Sequence, residues 1–158
     1  MSYAFCGQRY YGLHSLIFAV KRGDRVDIKQ KLNCYSSITE SWNQKFTNHM
    51  VRITINISWD LALQLEREIN DKFVEISSKV QQIAEIQDIS QAHRKDLDKL
   101  LGQLNRLNHK IFLHNRDLYK IIYAKRNEKF SLEGESKKVK YLDDNSRQLF
   151  KNLFVRRI

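Results

Sequence analysis

The chain has 158 residues, with 28 Lys and Arg against 18 Asp and Glu and a formal charge of +10. Its 42% hydrophobic content is enough for a modest core and excludes disorder throughout. Two cysteines, Cys6 and Cys34, are too few for a disulfide framework, and no run of about eighteen apolar residues is present to cross a membrane.

The absence of proline and the presence of only five glycines leave few helix breakers and favour long helices. The opening MSYAFCGQRYYGLHSLIFAV has no basic segment ahead of its apolar run and no small-residue cleavage pattern. A cytoplasmic location with reduced thiols is therefore expected. A sustained positive field draws polyanions: nucleic acid, an acidic protein or an anionic lipid surface.

In chain order, the apolar run Leu13–Val20 is followed by Lys21-Arg22-Gly23-Asp24 and then by Arg25–Leu32, where Val26, Ile28 and Leu32 alternate with polar residues. Period-two alternation around a Gly-Asp turn predicts a β-hairpin. The competing reading makes both runs short helices, because SLIFAVKRGD resembles the first helix of an ankyrin repeat. One partial repeat cannot bury its own face, so the hairpin is preferred. The polar stretch from Cys34 to His49, holding Trp42 and Phe46, reads as a connection. Met50–Ile57 then places Val51, Ile53, Ile55 and Ile57 on one face and Arg52, Thr54 and Asn56 on the other, a β-branched strand pattern. Ser58 and Asp60 suit the start of a helix.

From Trp59 the period changes. Ala62, Leu65, Ile69, Phe73, Ile76, Val80, Ile83 and Ile86 recur at three- and four-residue steps, which predicts an amphipathic helix ending near Gln87. A second stripe, Leu97, Leu100, Leu104, Leu107, Ile111, His114, Leu118 and Ile121, is a heptad seam that must meet another helix. The two stripes are out of phase across Gln87–His93, where a turn at Asp88-Ile89-Ser90 offers Asp88 or Ser90 as N-cap, and Asp88-x-x-Gln91 reads as a capping box. An antiparallel helical hairpin is therefore expected, against one very long helix dimerising along its length. In either case the seam residues are the expected oligomer interface. The second helix should reach about Glu128, Phe130–Tyr141 reads as a loop, and Arg147–Arg157 as a basic amphipathic helix capped by Asp143-Asp144-Asn145-Ser146. The expected fold is α+β and predominantly α. Residues 1–58 form a small antiparallel N-terminal sheet region, 59–129 a long antiparallel coiled-coil hairpin, and 130–158 a loop plus a short basic C-terminal helix.

No enzyme motif is present: no phosphate-binding glycine loop, no nucleophile elbow and no metalloprotease His-Glu pair. Cys6, His14, Cys34 and His49 are ligand types at gaps too wide and irregular for a structural zinc site. Neither a metal nor a cofactor is expected. Arg9-Tyr10-Tyr11-Gly12 reads as core and edge aromatics. His114 at a seam position reads as a histidine at a looser part of the seam with its polar edge in water; the alternative is a polar residue that sets register or makes the seam sensitive to pH.

Arg52-Ile53-Thr54-Ile55-Asn56-Ile57-Ser58-Trp59-Asp60 resembles the strand-then-helix opening of a ribbon-helix-helix DNA-binding protein. That resemblance implies base reading by Arg52, Thr54 and Asn56 in the major groove. It departs from the family in that the strand is not N-terminal and the following helix is far longer. A sequence-independent phosphate contact is expected from Lys99, Arg106, Lys110 and Lys120 on the second long helix, and from Arg147, Lys151, Arg156 and Arg157 in the last. The expected function is a non-enzymatic, nucleic-acid-binding accessory protein that self-associates through its coil. The alternative is an inhibitor, adaptor or structural subunit whose basic surface binds an acidic protein. Membrane attachment through Leu149, Phe150, Leu153 and Phe154 is a weaker third.

Overall fold

The computed structural model describes the backbone of residues 2–132 and the side chains of residues 6–127. The described residues hold helices and no strand: α1 (Ser2–Arg22), α2 (Arg25–Asn56), α3 (Trp59–Gln64), a π turn (Leu65–Asn70), α4 (Asp71–Glu85) and α5 (Gln91–Leu132). The expected N-terminal sheet is thus corrected to two long helices, and the helical alternative for Leu13–Leu32 is the one that forms. The proposed C-terminal helix, Arg147–Arg157, lies outside the described residues. The chain divides into two units, residues 1–118 and 119–158. The described part of the second is the continuation of α5 to Leu132.

The Gly-Asp pair that suggested a hairpin makes a helix–helix corner instead. Gly23 takes φ +79°, and its amide reaches the carbonyls of Ala19 and Val20, both at 3.1 Å, closing α1. A left-handed residue after a helix is where glycine costs least. Asp24 then caps α2, its carboxylate accepting from the amides of Val26 (3.0 Å) and Asp27 (3.2 Å).

The β-branched run Val51–Ile57 forms the last turns of α2. There Ile53 is buried while Val51 and Ile55 are exposed. β-branching lowers helix propensity by less than about 0.7 kcal/mol per residue, a small penalty once a helix already nucleated can extend and bury one side chain. The amides of Ile57 and Ser58 both bond the carbonyl of Ile53 at 2.9 Å, ending the helix.

The first unit is an up-down-up-down bundle. Side-chain bonds set its register: Tyr10 to Asn105 and Lys21 to Asp98 run α1 antiparallel to α5. Trp42 to Asn70, with Arg25 on the carbonyl of Ala84, runs α2 antiparallel to the π turn and α4. Gln64 to His114 and Glu68 to Lys110 run the third helical stretch antiparallel to α5. α1 and α2 approach closely at Gly12, where an added Cβ would lie 2.7 Å from Ile38 Cδ1 and 3.3 Å from Tyr35 Cδ2.

α5 opens at Ser90, whose hydroxyl accepts from the amide of His93 at 3.3 Å while its own amide donates back to His93 Nδ1 at 3.3 Å. The reciprocal cap is therefore Ser90 with His93, not Asp88 with Gln91. At the same end Arg25 donates to three carbonyls that close α4: Ala84 at 2.9 Å, Ile86 and Gln87.

Leu13, Leu16, Ile17, Ile69, Phe73, Val80, Leu97 and Leu104 are wholly enclosed in the core. Arg9 is enclosed with them at 1% exposure. Its guanidinium lies 5.1 Å from the Trp42 ring centroid and 4.9 Å from that of Phe73, a cation between two π faces. Arg9 Nη1 donates to Asn70 Oδ1 at 2.8 Å, and Trp42 Nε1 donates to the same oxygen at 3.0 Å. Asn70 is the last residue of the π turn. One inward amide oxygen thus serves two donors from two other helices. Burial pushes the neighbouring Cys6 thiol up to about 12, against the opposing pull of Arg9.

Candidate nucleic-acid interface

α5 carries two opposed faces. Leu97, Leu100, Leu104, Leu107, Ile111, His114 and Leu118 are buried, covered within the first unit by the other helices of the same chain. Ile121, in the second unit, is half-buried. The apolar character of the seam up to Leu118 is accounted for inside one copy.

The opposite face of α5 is basic. Residues 91–132 hold ten Lys and Arg against four Asp and Glu. In the first unit Lys95, Lys99, Arg106, Lys110 and Arg116 are exposed along it. Three of them are paired: Lys99 with Asp96 (2.9 Å), Lys110 with Glu68 (3.0 Å) and Arg116 with Asp117 (3.1 Å). Lys95 and Arg106 have no ion pair among the described residues. Exposed pairs contribute little to stability and exchange readily for a phosphate partner. The hydrogen bond and charge of Lys99 hold Asp96 below its ordinary range.

Acidic residues gather elsewhere. Residues 59–85 carry six Asp and Glu against three Lys and Arg, and Glu75, bonded by Lys72 and Lys79, is held down to about 2. The positive surplus is therefore segregated by helix.

Beside α5, the outer face of α1 presents rings. Tyr11 is 68% exposed and Phe18 42%. Ring contacts join them through Tyr10 and His14, with centroid separations of 5.2 Å (Tyr10–Tyr11), 5.7 Å (Tyr10–His14) and 4.8 Å (His14–Phe18). Lys21 sits 5.8 Å from the Phe18 centroid and pairs with Asp98. The Tyr10 hydroxyl donates to Asn105 Oδ1 at 2.8 Å, so this row lies against α5 one residue round from Arg106. In the sequence Tyr10 and Tyr11 read as core and edge aromatics, and Phe18 falls in the first strand of the expected hairpin. What reveals them is the seven-residue spacing of Tyr11 and Phe18, which means one face only if the segment is helical.

Other expected contacts fall apart spatially or chemically. Arg52, Thr54 and Asn56 occupy the last turn of α2, where the Asn56 amide donates to the carbonyl of Arg52 at 3.0 Å. They form no two-stranded ribbon, and the ribbon-helix-helix likeness is corrected accordingly. Lys120 is exposed in the second unit. Arg147, Lys151, Arg156 and Arg157 lie outside the described residues. Among the described residues no cluster of three His, Cys, Asp or Glu is placed to hold a metal ion.

His114 is 1% exposed, its Nδ1 3.1 Å from Gln64 Oε1 and its Nε2 without a partner. Burial lowers its pKa, against smaller opposing effects of Asp117 and Glu68. The unfolded chain therefore takes up the proton first. The corresponding stability is fully present above the ordinary value of 6.5 and is lost as pH falls below it toward the folded value. The urea midpoint is expected to drop between about pH 7 and pH 5.5, and His114→Gln to flatten that drop. Identical pH profiles for the two proteins would remove His114 from the account.

No family model, no curated protein and no solved structure matches the chain.

Proposed function

We propose that this chain is a non-enzymatic nucleic-acid-binding protein that meets phosphates with the outer face of α5. One observation carries the reading: α5 holds ten Lys and Arg against four Asp and Glu and exposes five of those cations along one face in the first unit, while the acidic residues collect on α3, the π turn and α4. A coil that needs only solubility mixes signs more evenly. Contacts of this kind fix no sequence and release counterions, so their affinity falls steeply with salt.

The test is a salt titration of labelled duplex and single-stranded oligonucleotides by fluorescence anisotropy. With up to five phosphate contacts, the slope of log affinity against log salt is expected at about −3 to −4. The double substitution Lys95→Glu with Arg106→Glu reverses the two cations of that row of five that have no ion pair among the described residues, and is expected to weaken binding at least about tenfold and to reduce the slope by about 2. Binding that is flat in salt, or unaltered by the charge reversal, would overturn the proposal. Preferential capture of an acidic polypeptide over nucleic acid of equal charge would replace it with the reading of a protein-interaction module.

A further inference from the structure

We infer that the joined outer face of α1 and α5 takes single-stranded nucleic acid, with unpaired bases stacking on Tyr11 and Phe18 while α5 neutralises the backbone. The inference rests on the nucleic-acid reading of the α5 face and names its ligand class.

Tyr11 shows 68% of its surface and Phe18 42%, so both rings are open to a stacking partner. The row is ordered before any ligand arrives. Tyr10 holds Tyr11 edge-on at 78° between the planes and is itself anchored by its hydroxyl on Asn105. His14 backs Phe18 at 4.8 Å. Rings already fixed from behind lose little freedom on stacking, which favours binding.

Seven residues of α-helix separate Tyr11 from Phe18 by about 10.5 Å. Stacked neighbouring bases cannot bridge that distance, but an extended strand can place one base on each ring with backbone between them. A duplex cannot use the rings, because its π faces are already covered by its own base pairs. The cations flanking the row differ in availability. Lys21 and Arg22 are committed to Asp98 and Asp27. Arg94, Lys95 and Arg106 are exposed on α5 with no ion pair among the described residues; Arg106 follows Asn105, which holds Tyr10, and Arg94 and Lys95 lie toward the end where Lys21 meets Asp98. Charge without rings would bind any polyanion; rings beside unpaired cations select one whose bases are free.

The experiment compares a single-stranded oligothymidine, its ribose counterpart, an abasic strand of the same length and a duplex, at fixed salt and across a salt series. Tyr11→Ala and Phe18→Leu are the probe variants, with Tyr11→Phe as the conservative control. Each ring removal is expected to cost about tenfold in single-strand affinity, within the range seen for one stacked base, with the salt slope unchanged. Tyr11→Phe should bind as the parent does, and the parent should bind the abasic strand as weakly as a variant carrying both Tyr11→Ala and Phe18→Leu binds oligothymidine. Unaltered circular dichroism spectra and melting curves keep a fold defect from imitating the result. If the ring variants bind as the parent does, or the abasic strand matches oligothymidine, stacking is overturned while salt-dependent binding still stands. If nothing binds with a salt slope, the phosphate-binding face itself has failed.

Discussion

Asn70→Ala is expected to destabilise the bundle by about 3 kcal/mol, and to cost only about 1 kcal/mol when Arg9 has first been replaced by Met. The Asn70 oxygen accepts from both Arg9 Nη1 and Trp42 Nε1. Arg9 Nε already lacks an acceptor, and no carboxylate pairs with the guanidinium among the described residues. Removing the amide leaves a buried cation held only by ring faces. An unsatisfied buried donor costs roughly 1–3 kcal/mol, and more when charged. Methionine has comparable reach and fills irregular gaps between rings without a charge to satisfy, and exchanging a buried charge for a well-packed apolar side chain is often neutral or stabilising. Chemical denaturation of the parent, both single variants and the double variant gives the coupling energy directly. Additive effects would mean that Asn70 supports the fold by some route other than Arg9.

Leu104→Ala is expected to cost about 3–4 kcal/mol, the usual loss for an enclosed leucine that leaves a cavity behind, and the melting temperature of both parent and variant should not move with protein concentration. Leu104 is fully enclosed midway along the seam. α5 is tied to its own chain before it through Asp98 with Lys21 and after it through Lys110 with Glu68. A seam shared between copies behaves differently, because mass action raises the melting temperature as protein is added. A concentration-dependent melt across a hundredfold range would return the seam to an intermolecular role.

The third and fourth helical passes of the bundle could be read from the sequence because their apolar residues are dense and evenly stepped. Ala62 to Ile86 and Leu97 to Leu118 each supply one at nearly every turn. α2 carries a stripe of the same period, Ile28, Leu32, Tyr35, Trp42, Phe46, Met50, Ile53 and Ile57, but spreads it over a polar background in which Ser36, Ser37, Thr39 and Asn43 imitate a loop. Within that stripe the short stretch from Val51 to Ile57 also satisfies a period of two, and seven residues cannot separate the two periods. In α1, the slot between Cys6 and Leu13 is filled by Arg9, whose burial depends on Trp42, Asn70 and Phe73 from distant parts of the chain. No local pattern encodes that enclosure. The basic face of α5 was visible in composition alone. The rings beside it were not, because Tyr11 and Phe18 share a surface only once the segment is known to be helical.

Arg25 gives the bundle a mechanical polarity. It begins α2, yet its guanidinium grips the carbonyls that finish α4, so one residue laces the α1–α2 corner to the turn before α5. At the opposite end Ile55 and Trp59 stand in solvent at the corner between α2 and α3, and Ser58 makes no side-chain cap bond. Local opening is therefore expected to start at the α2–α3 corner rather than at the end that Arg25 ties. Such opening would leave Phe18 and its Lys21–Asp98 tether in place.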